Sequence, residues 1–343
     1  MNGTKMRHLR VNYMPFIFAI VAIFSNSAIA QTYPVKLDNC GHKLSFEEAP
    51  KSSVTIGQAT TEAMYLLGLS DKVKGTAVWF TDVLPEYKDV NDKIERIADN
   101  TPSFEAVVNK RPGLVASQYE WYVGPKGSVG TREQFHDLSV PTYIWPADCV
   151  GKDNSVGVDG TREELISTEV IYRGLTELSQ IFGVNEAGKN AVADLKARET
   201  AAIQRAKALD LKDVSALFWF SSAKMDADPY VAGAKGAPGF IMKQLGIKNV
   251  VESSEEWPTV GWETIAKANP TYIVLADLQR RKFPADAVEV KMEFLKNDPV
   301  ASQMDAVKEG RVLILDAHAM DATIRTISGL ELMAEAMEKV ASR

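Results

Sequence analysis

The sequence predicts an α/β fold of two similar lobes, each a mainly parallel sheet flanked by helices, joined by one long helix. Three observations lead there. One pattern occurs twice: Phe104-Glu105-Ala106-Val107-Val108-Asn109-Lys110-Arg111-Pro112 and Trp262-Glu263-Thr264-Ile265-Ala266-Lys267-Ala268-Asn269-Pro270 each run aromatic, Glu, short helical stretch, Pro. Each copy leads into an apolar run, Leu114-Val115-Ala116 or Tyr272-Ile273-Val274-Leu275. A helix halted before a proline and followed by a β-rich run is one turn of an αβ unit. Strand and helix patterns also alternate along most of the chain, as a buried parallel sheet requires. Finally, residues 186–209 carry no proline and many Ala, Lys, Arg and Glu, a helix of about 36 Å at ~1.5 Å per residue.

In order, residues 1–30 read as a secretory signal peptide. Lys5, Arg7 and Arg10 form a basic start, Pro15–Phe24 an apolar core too short to span a bilayer, and Ala28-Ile29-Ala30 a small-x-small cleavage site. An uncleaved anchor is the alternative. The first lobe is expected over 31–185. Tyr33–Phe46 alternates about Asn39-Cys40-Gly41 as a hairpin. Val54–Ile56, Val73–Val78, Leu114–Ser117 and Thr142–Trp145 are strands, with helices at Thr60–Leu69, Arg132–Leu138 and Arg162–Phe182. Residues 186–209 form the connector. The second lobe, 210–343, has strands at Val214–Phe218, Thr271–Leu275 and Val312–Leu315, a helix at Phe240–Leu245 and a closing amphipathic helix at Ser328–Ala341.

The chain of 343 residues carries a net charge of −6, and loss of the leader's three basic residues takes that to about −9. An acidic chain does not suit nucleic acid. Two cysteines remain, Cys40 and Cys149, on the exported side where disulfides persist. A Cys40–Cys149 bridge is expected, with two isolated thiols the alternative. The cysteines and scattered histidines make no metal cluster. There is no Gly-x-Ser-x-Gly elbow, Walker loop, Gly-x-Gly-x-x-Gly or His-Glu-x-x-His, so no catalytic residue is assigned.

Ligands of parallel αβ sheets meet the loops beyond the strands' carboxyl ends. Here those loops hold Trp79, Phe80, Tyr119, Trp121, Tyr122, Trp145, Trp219, Tyr230 and Trp257. Two readings stand for each: a contact to a large, rigid, partly apolar ligand, or a cap over the sheet end. Arg325, Arg280, Arg281 and His318 are the polar candidates, since a guanidinium offers a planar fork to carboxylates and a cation to aromatic faces; Arg280-Arg281-Lys282 reads first as a solvated basic loop, which leaves His318 and Arg325, after the last strand, as the preferred pair.

Taken together, Val54-Thr55-Ile56-Gly57-Gln58-Ala59-Thr60-Thr61-Glu62, Leu67-Gly68-Leu69-Ser70-Asp71-Lys72-Val73-Lys74-Gly75, the first repeat, Pro229-Tyr230-Val231-Ala232-Gly233, Trp257-Pro258-Thr259-Val260 and Asp298-Pro299 through Gly310-Arg311-Val312, in this order behind a leader, resemble a solute-binding protein of an ABC importer. The class is the one that carries iron–siderophore complexes, haem or cobalamin, the class III periplasmic binding proteins. The resemblance implies two lobes, one connecting helix, a shallow inter-lobe cleft with little closure, and a monomer in the periplasm. It gives Glu105 and Glu263 a role, one per lobe, docking onto arginines of the membrane permease and through it the ATPase; helix-start capping is the alternative reading. Trp79 and Trp257 fall where a cobalamin binder contacts its corrin, whereas siderophore binders use groups such as Tyr119, Tyr122 and Arg325. A ferric siderophore is the first expectation, a corrinoid the second and haem the third. The metal would arrive inside its chelate, so no cofactor and no protein ligand to iron are expected. The rivals of other classes are a periplasmic hydrolase using a cleft carboxylate and a sensor subunit.

Overall fold

The alternation around Asn39-Cys40-Gly41 folds as a hairpin: β1 (Val35–Asn39) pairs antiparallel with β2 (His42–Phe46). Cys40 and Gly41 turn the chain at φ 54° and 78°. In this computed structural model, Met1 and residues 32–155, 160–209, 211–280 and 283–341 are described. The signal peptide expected over 1–30 lies, Met1 aside, outside the described residues. Among the described residues no helix is long and apolar enough to cross a membrane.

The first sheet is built from β3 (Ser53–Ile56), β4 (Val73–Ala77), β5 (Arg96–Ala98), β6 (Val115–Ser117) and β7 (Thr142–Ile144), all parallel, in the order β5-β4-β3-β6-β7. Every residue of β3, β6 and β7 is buried, because helices cover both faces of such a sheet.

The helix expected from Arg162 begins later, at Glu169, and runs to Ile181. Thr161 and Arg162 instead form β9 (Thr161–Arg162), antiparallel to β8 (Lys152–Asp153). The reason is tertiary. The Arg162 guanidinium is buried, donating to the Ala147 carbonyl at 3.1 Å and sitting 3.2 Å from the Glu256 carboxylate of the second lobe. The Ile166 amide donates to the Lys235 carbonyl at 3.0 Å. These partners draw the segment across the molecule in extended form before the helix starts.

The second sheet comprises β10 (Ser215–Ser221), β11 (Tyr230–Val231), β12 (Lys248–Asn249), β13 (Tyr272–Asp277) and β14 (Val312–Asp316). β10, β13 and β14 run parallel, β12 pairs parallel with β10, and β11 is an antiparallel edge. At its carboxyl end Lys291 is fully buried, donating to the Phe220 and Ala276 carbonyls at 2.6 and 3.0 Å. Burial pushes its ammonium down to about 8, against the pull of Asp286 and Asp277.

A helix from Asn185 to Ala208, 24 residues long, packs on the helix Glu169–Ile181 and on the last helix, Thr326–Ala341. Arg198 and Arg205 fork onto Glu331 and Glu338 of that last helix, with Nε at 2.9 and 2.8 Å. Glu199 faces the other way, accepting from Thr168 Oγ1 at 3.0 Å and from the Tyr172 hydroxyl. A disulfide joins Cys40 to Cys149, tying the hairpin turn to the segment that follows β7.

Candidate functional site

The two repeat copies fold alike. Their helices, Phe104–Val108 and Trp262–Ala268, are each followed by a left-handed residue directly before the proline: Arg111 at φ 48° and Asn269 at φ 45°. In each copy the leading aromatic turns inward. Phe104 packs on Phe135 with ring centres 4.9 Å apart; Trp262 packs on Trp219 at 4.7 Å and Phe294 at 4.9 Å. The residue after the aromatic is then forced to the outside, and Glu105 and Glu263 are both exposed in the first helical turn. An acidic group there also favours the helix dipole. The aromatic is the anchor and the carboxylate is what the anchor presents.

Between the sheets' carboxyl ends the lobes meet along a polar seam. Arg325 is its centre, 6 % exposed. Its Nε donates to Glu62 Oε2 at 2.8 Å and its Nη2 to Glu62 Oε1, while Nη1 reaches Asp316 Oδ2 at 2.6 Å. Nη2 also donates to the Asp82 carbonyl at 2.7 Å. Glu62 is 1 % exposed and accepts further from Gln58 Nε2 at 3.2 Å and the Leu84 amide at 3.1 Å. Burial pushes the guanidinium down, but the bonds and charges of Glu62 and Asp316 outweigh it and hold Arg325 above its ordinary value.

More bonds cross the seam on either side. The Tyr119 hydroxyl donates to Asp321 Oδ2 at 3.2 Å and accepts from Gln118 Nε2 at 2.8 Å; burial, reinforced by the Asp321 charge, pushes this phenol well above its usual range. The Arg280 amide donates to the Phe80 carbonyl at 2.9 Å, and its Nη1 to the Asp99 carbonyl at 2.7 Å. The Arg280 guanidinium lies 4.4 Å over the Phe80 ring, which meets His318 edge-on at 5.2 Å. His318 is buried, with neither ring nitrogen hydrogen-bonded and Nδ1 at 3.4 Å from Asp321.

The rim of tryptophans expected from the sequence is only partly there. Trp79, Trp145 and Trp219 are 2 %, 1 % and 0 % exposed and act as caps over the sheet ends. Val78 takes φ 63° directly after β4 and turns Trp79 back, so that its Nε1 donates to Thr76 Oγ1 at 3.1 Å beneath the Arg96 guanidinium. Trp145 lies against Gly174, where an added Cβ would come within 2.5 Å of its ring, and its Nε1 crosses the seam to the Ala322 carbonyl at 2.9 Å. Trp219 Nε1 donates to Ser222 Oγ at 3.0 Å. Trp121 and Tyr230 are 41 % and 37 % exposed. Trp257 is partly buried against Phe220 at 4.6 Å, and Tyr122 packs beside Tyr119 at 6.1 Å. Arg325, His318, Phe80 and Tyr119 thus come together at the seam. Sequence reasoning missed Glu62, the partner of Arg325. Its signal was a carboxylate inside the otherwise apolar and hydroxyl-bearing helix Gln58–Leu66, every residue of which is buried but the last. Among the described residues no group of His, Cys, Asp and Glu could hold a metal ion.

Known proteins share this architecture. An ABC transporter substrate-binding lipoprotein of Bacillus subtilis, YvrC, itself uncharacterized, is 24 % identical over 310 residues, 90 % of this chain and 86 % of the relative. A periplasmic binding protein from Veillonella parvula superposes with a TM-score of 0.69 at 25 % identity, covering 90 % of this chain and 97 % of that one. An ABC-type Fe3+-hydroxamate transport protein from Saccharomonospora viridis does so with a TM-score of 0.68 at 21 % identity, covering 89 % and 99 %. The profile of the periplasmic binding proteins matches residues 54–319, which takes in both sheets, both repeat copies and the seam as far as His318, short of Arg325. The chain belongs to the periplasmic binding protein family, in the substrate-binding class of ABC importers that its motifs anticipated.

Proposed function

We propose that this protein captures a ferric siderophore where its two lobes meet and delivers it to a membrane permease, docking through Glu105 and Glu263. The observation that carries the docking role is the repeat itself: each lobe presents one exposed carboxylate beside an aromatic locked into that lobe's own core. Exposed ion pairs are individually weak, but two at a separation fixed by rigid anchors set orientation and register. The cargo reading rests on the aromatic groups at the seam, Phe80 under Arg280 with Tyr119 beside Tyr122, and on the hydroxamate system to which the fold is similar.

A corrinoid is the second reading. It loses support from the burial of Trp79, one of its two expected aromatic contacts, and keeps Trp257 with Phe220. Haem is third. A hydrolase reading is disfavoured because the buried carboxylate Glu62 is saturated by Arg325, Gln58 and the Leu84 amide.

The test replaces both glutamates with Arg. Affinity for a ferric chelate, read by tryptophan quenching, should stay within about twofold, since exposed charges outside a pocket contribute little to it. Uptake, and chelate-stimulated ATP hydrolysis by the reconstituted importer, should fall sharply, more for the double change than for either single one. Normal uptake by the double variant would return both residues to helix capping.

A further inference from the structure

The buried guanidinium at the centre of the seam is already spoken for. Arg325 places Nε and Nη2 on Glu62 and Nη1 on Asp316, and a third carboxylate, Asp321, stands nearby on the Tyr119 hydroxyl. Two carboxylates therefore hold one guanidinium, and a third lies on the same seam. Another cation that crosses the seam, Arg280, is directed to the Asp99 carbonyl, the Asn100 side chain and the Phe80 ring. An anionic ligand that drew Arg325 to itself would leave Glu62, 1 % exposed, as a buried carboxylate without its counter-charge, which is among the more costly arrangements in a protein. A neutral chelate makes no such demand, and a cationic one finds the Asp316 and Asp321 carboxylates.

Resting on the proposed chelate-binding role of this seam, we infer that the protein selects neutral or cationic ferric chelates, of the hydroxamate kind, and discriminates against polyanionic ones such as tris-catecholates, because Glu62 and Asp316 hold Arg325 away from ligand anions. Charge selection of this sort works by repulsion as much as by attraction, the unwanted partner meeting like charge.

The probes are a neutral ferric trihydroxamate, a linear ferric trihydroxamate bearing a free ammonium group, the trianionic ferric tris-catecholate, and haem with its two propionates, titrated into the full mature chain with fluorescence and calorimetry as readouts. Both trihydroxamates should bind at least about tenfold more tightly than the tris-catecholate or haem. The preference should narrow by a further factor of about ten in Glu62→Gln, which releases Arg325 to an incoming anion. Should Glu62→Gln fail to fold, Asp316→Asn, at the more exposed end of the same guanidinium, should narrow the preference in the same direction by a smaller factor. Tighter binding of the tris-catecholate or of haem by the wild-type protein overturns the inference while leaving the chelate-binding role intact. A preference unmoved in a folded variant of either kind also overturns it. If no chelate of any charge binds, the role of the seam falls, and this inference with it.

Discussion

Arg325 of the second lobe grips Glu62 of the first through two of its nitrogens, the Nε at 2.8 Å from Oε2, although 263 positions separate them in sequence. Both side chains are buried, so neither charge can fall back on water if the other is removed. Arg325→Met should lower stability by about 3–5 kcal/mol, the usual cost of stranding one member of a buried pair, seen as a fall in the urea midpoint. The double change Glu62→Leu with Arg325→Met should recover part of that loss, since an apolar replacement of both partners is often close to neutral. A single variant that unfolds at the wild-type midpoint would show the pair to be energetically idle.

Lys291 should make stability pH-dependent in an unusual window. Its folded value of about 8 lies below the ordinary 10.5, so between those limits the unfolded chain binds more protons at this site than the folded one. Stability therefore rises with pH there. Wild type measured against Lys291→Met should gain progressively from about pH 8 to pH 10.5, by at most roughly 3 kcal/mol. A flat difference across that range would place the ammonium in a better-solvated setting than its burial indicates.

At Gly174 an added methyl group meets the Trp145 ring at 2.5 Å. Gly174→Ala should destabilise by about 1–3 kcal/mol through overpacking. Because Trp145 also bonds Ala322 across the seam, the near-ultraviolet circular dichroism of the tryptophans should change with it. An unchanged spectrum and melting temperature would contradict the close packing.

The Cys40–Cys149 bridge spans 109 positions. Intact-mass analysis of unreduced protein should show no alkylated thiol, and the Cys40→Ser, Cys149→Ser double variant should lose about 2–5 kcal/mol. Two freely alkylated thiols in the native protein would rule the bridge out.

Much of the fold was legible in the sequence because its signals are local. The period of two around Asn39-Cys40-Gly41, the strand patterns ahead of each helix and the proline after each repeat all act within a few residues. The failures have distant causes. Arg162 reads as the start of a helix until Ala147 and Glu256 capture its guanidinium. Trp79, Trp145 and Trp219 sit where a rim would be, and only the left-handed turn at Val78, the missing side chain of Gly174 and the hydroxyl of Ser222 decide that they turn inward. Arg325 could be singled out as a candidate, but nothing near it in sequence announces Glu62. A buried charge is visible in a sequence; its partner is a property of the fold.

Residues 198 and 199 are consecutive on the long helix, so their side chains leave it about 100° apart. Arg198 fastens to Glu331 of the second lobe and Glu199 to Thr168 and Tyr172 of the first. The helix is thus pinned to both lobes at a single point along its length, like a bolt through two plates. A bolt of that kind permits no swing about itself without shearing one set of fastenings. Any swing of the lobes about this helix is therefore coupled to the breaking of the Arg198–Glu331 pair or of the Glu199 bonds to Thr168 and Tyr172.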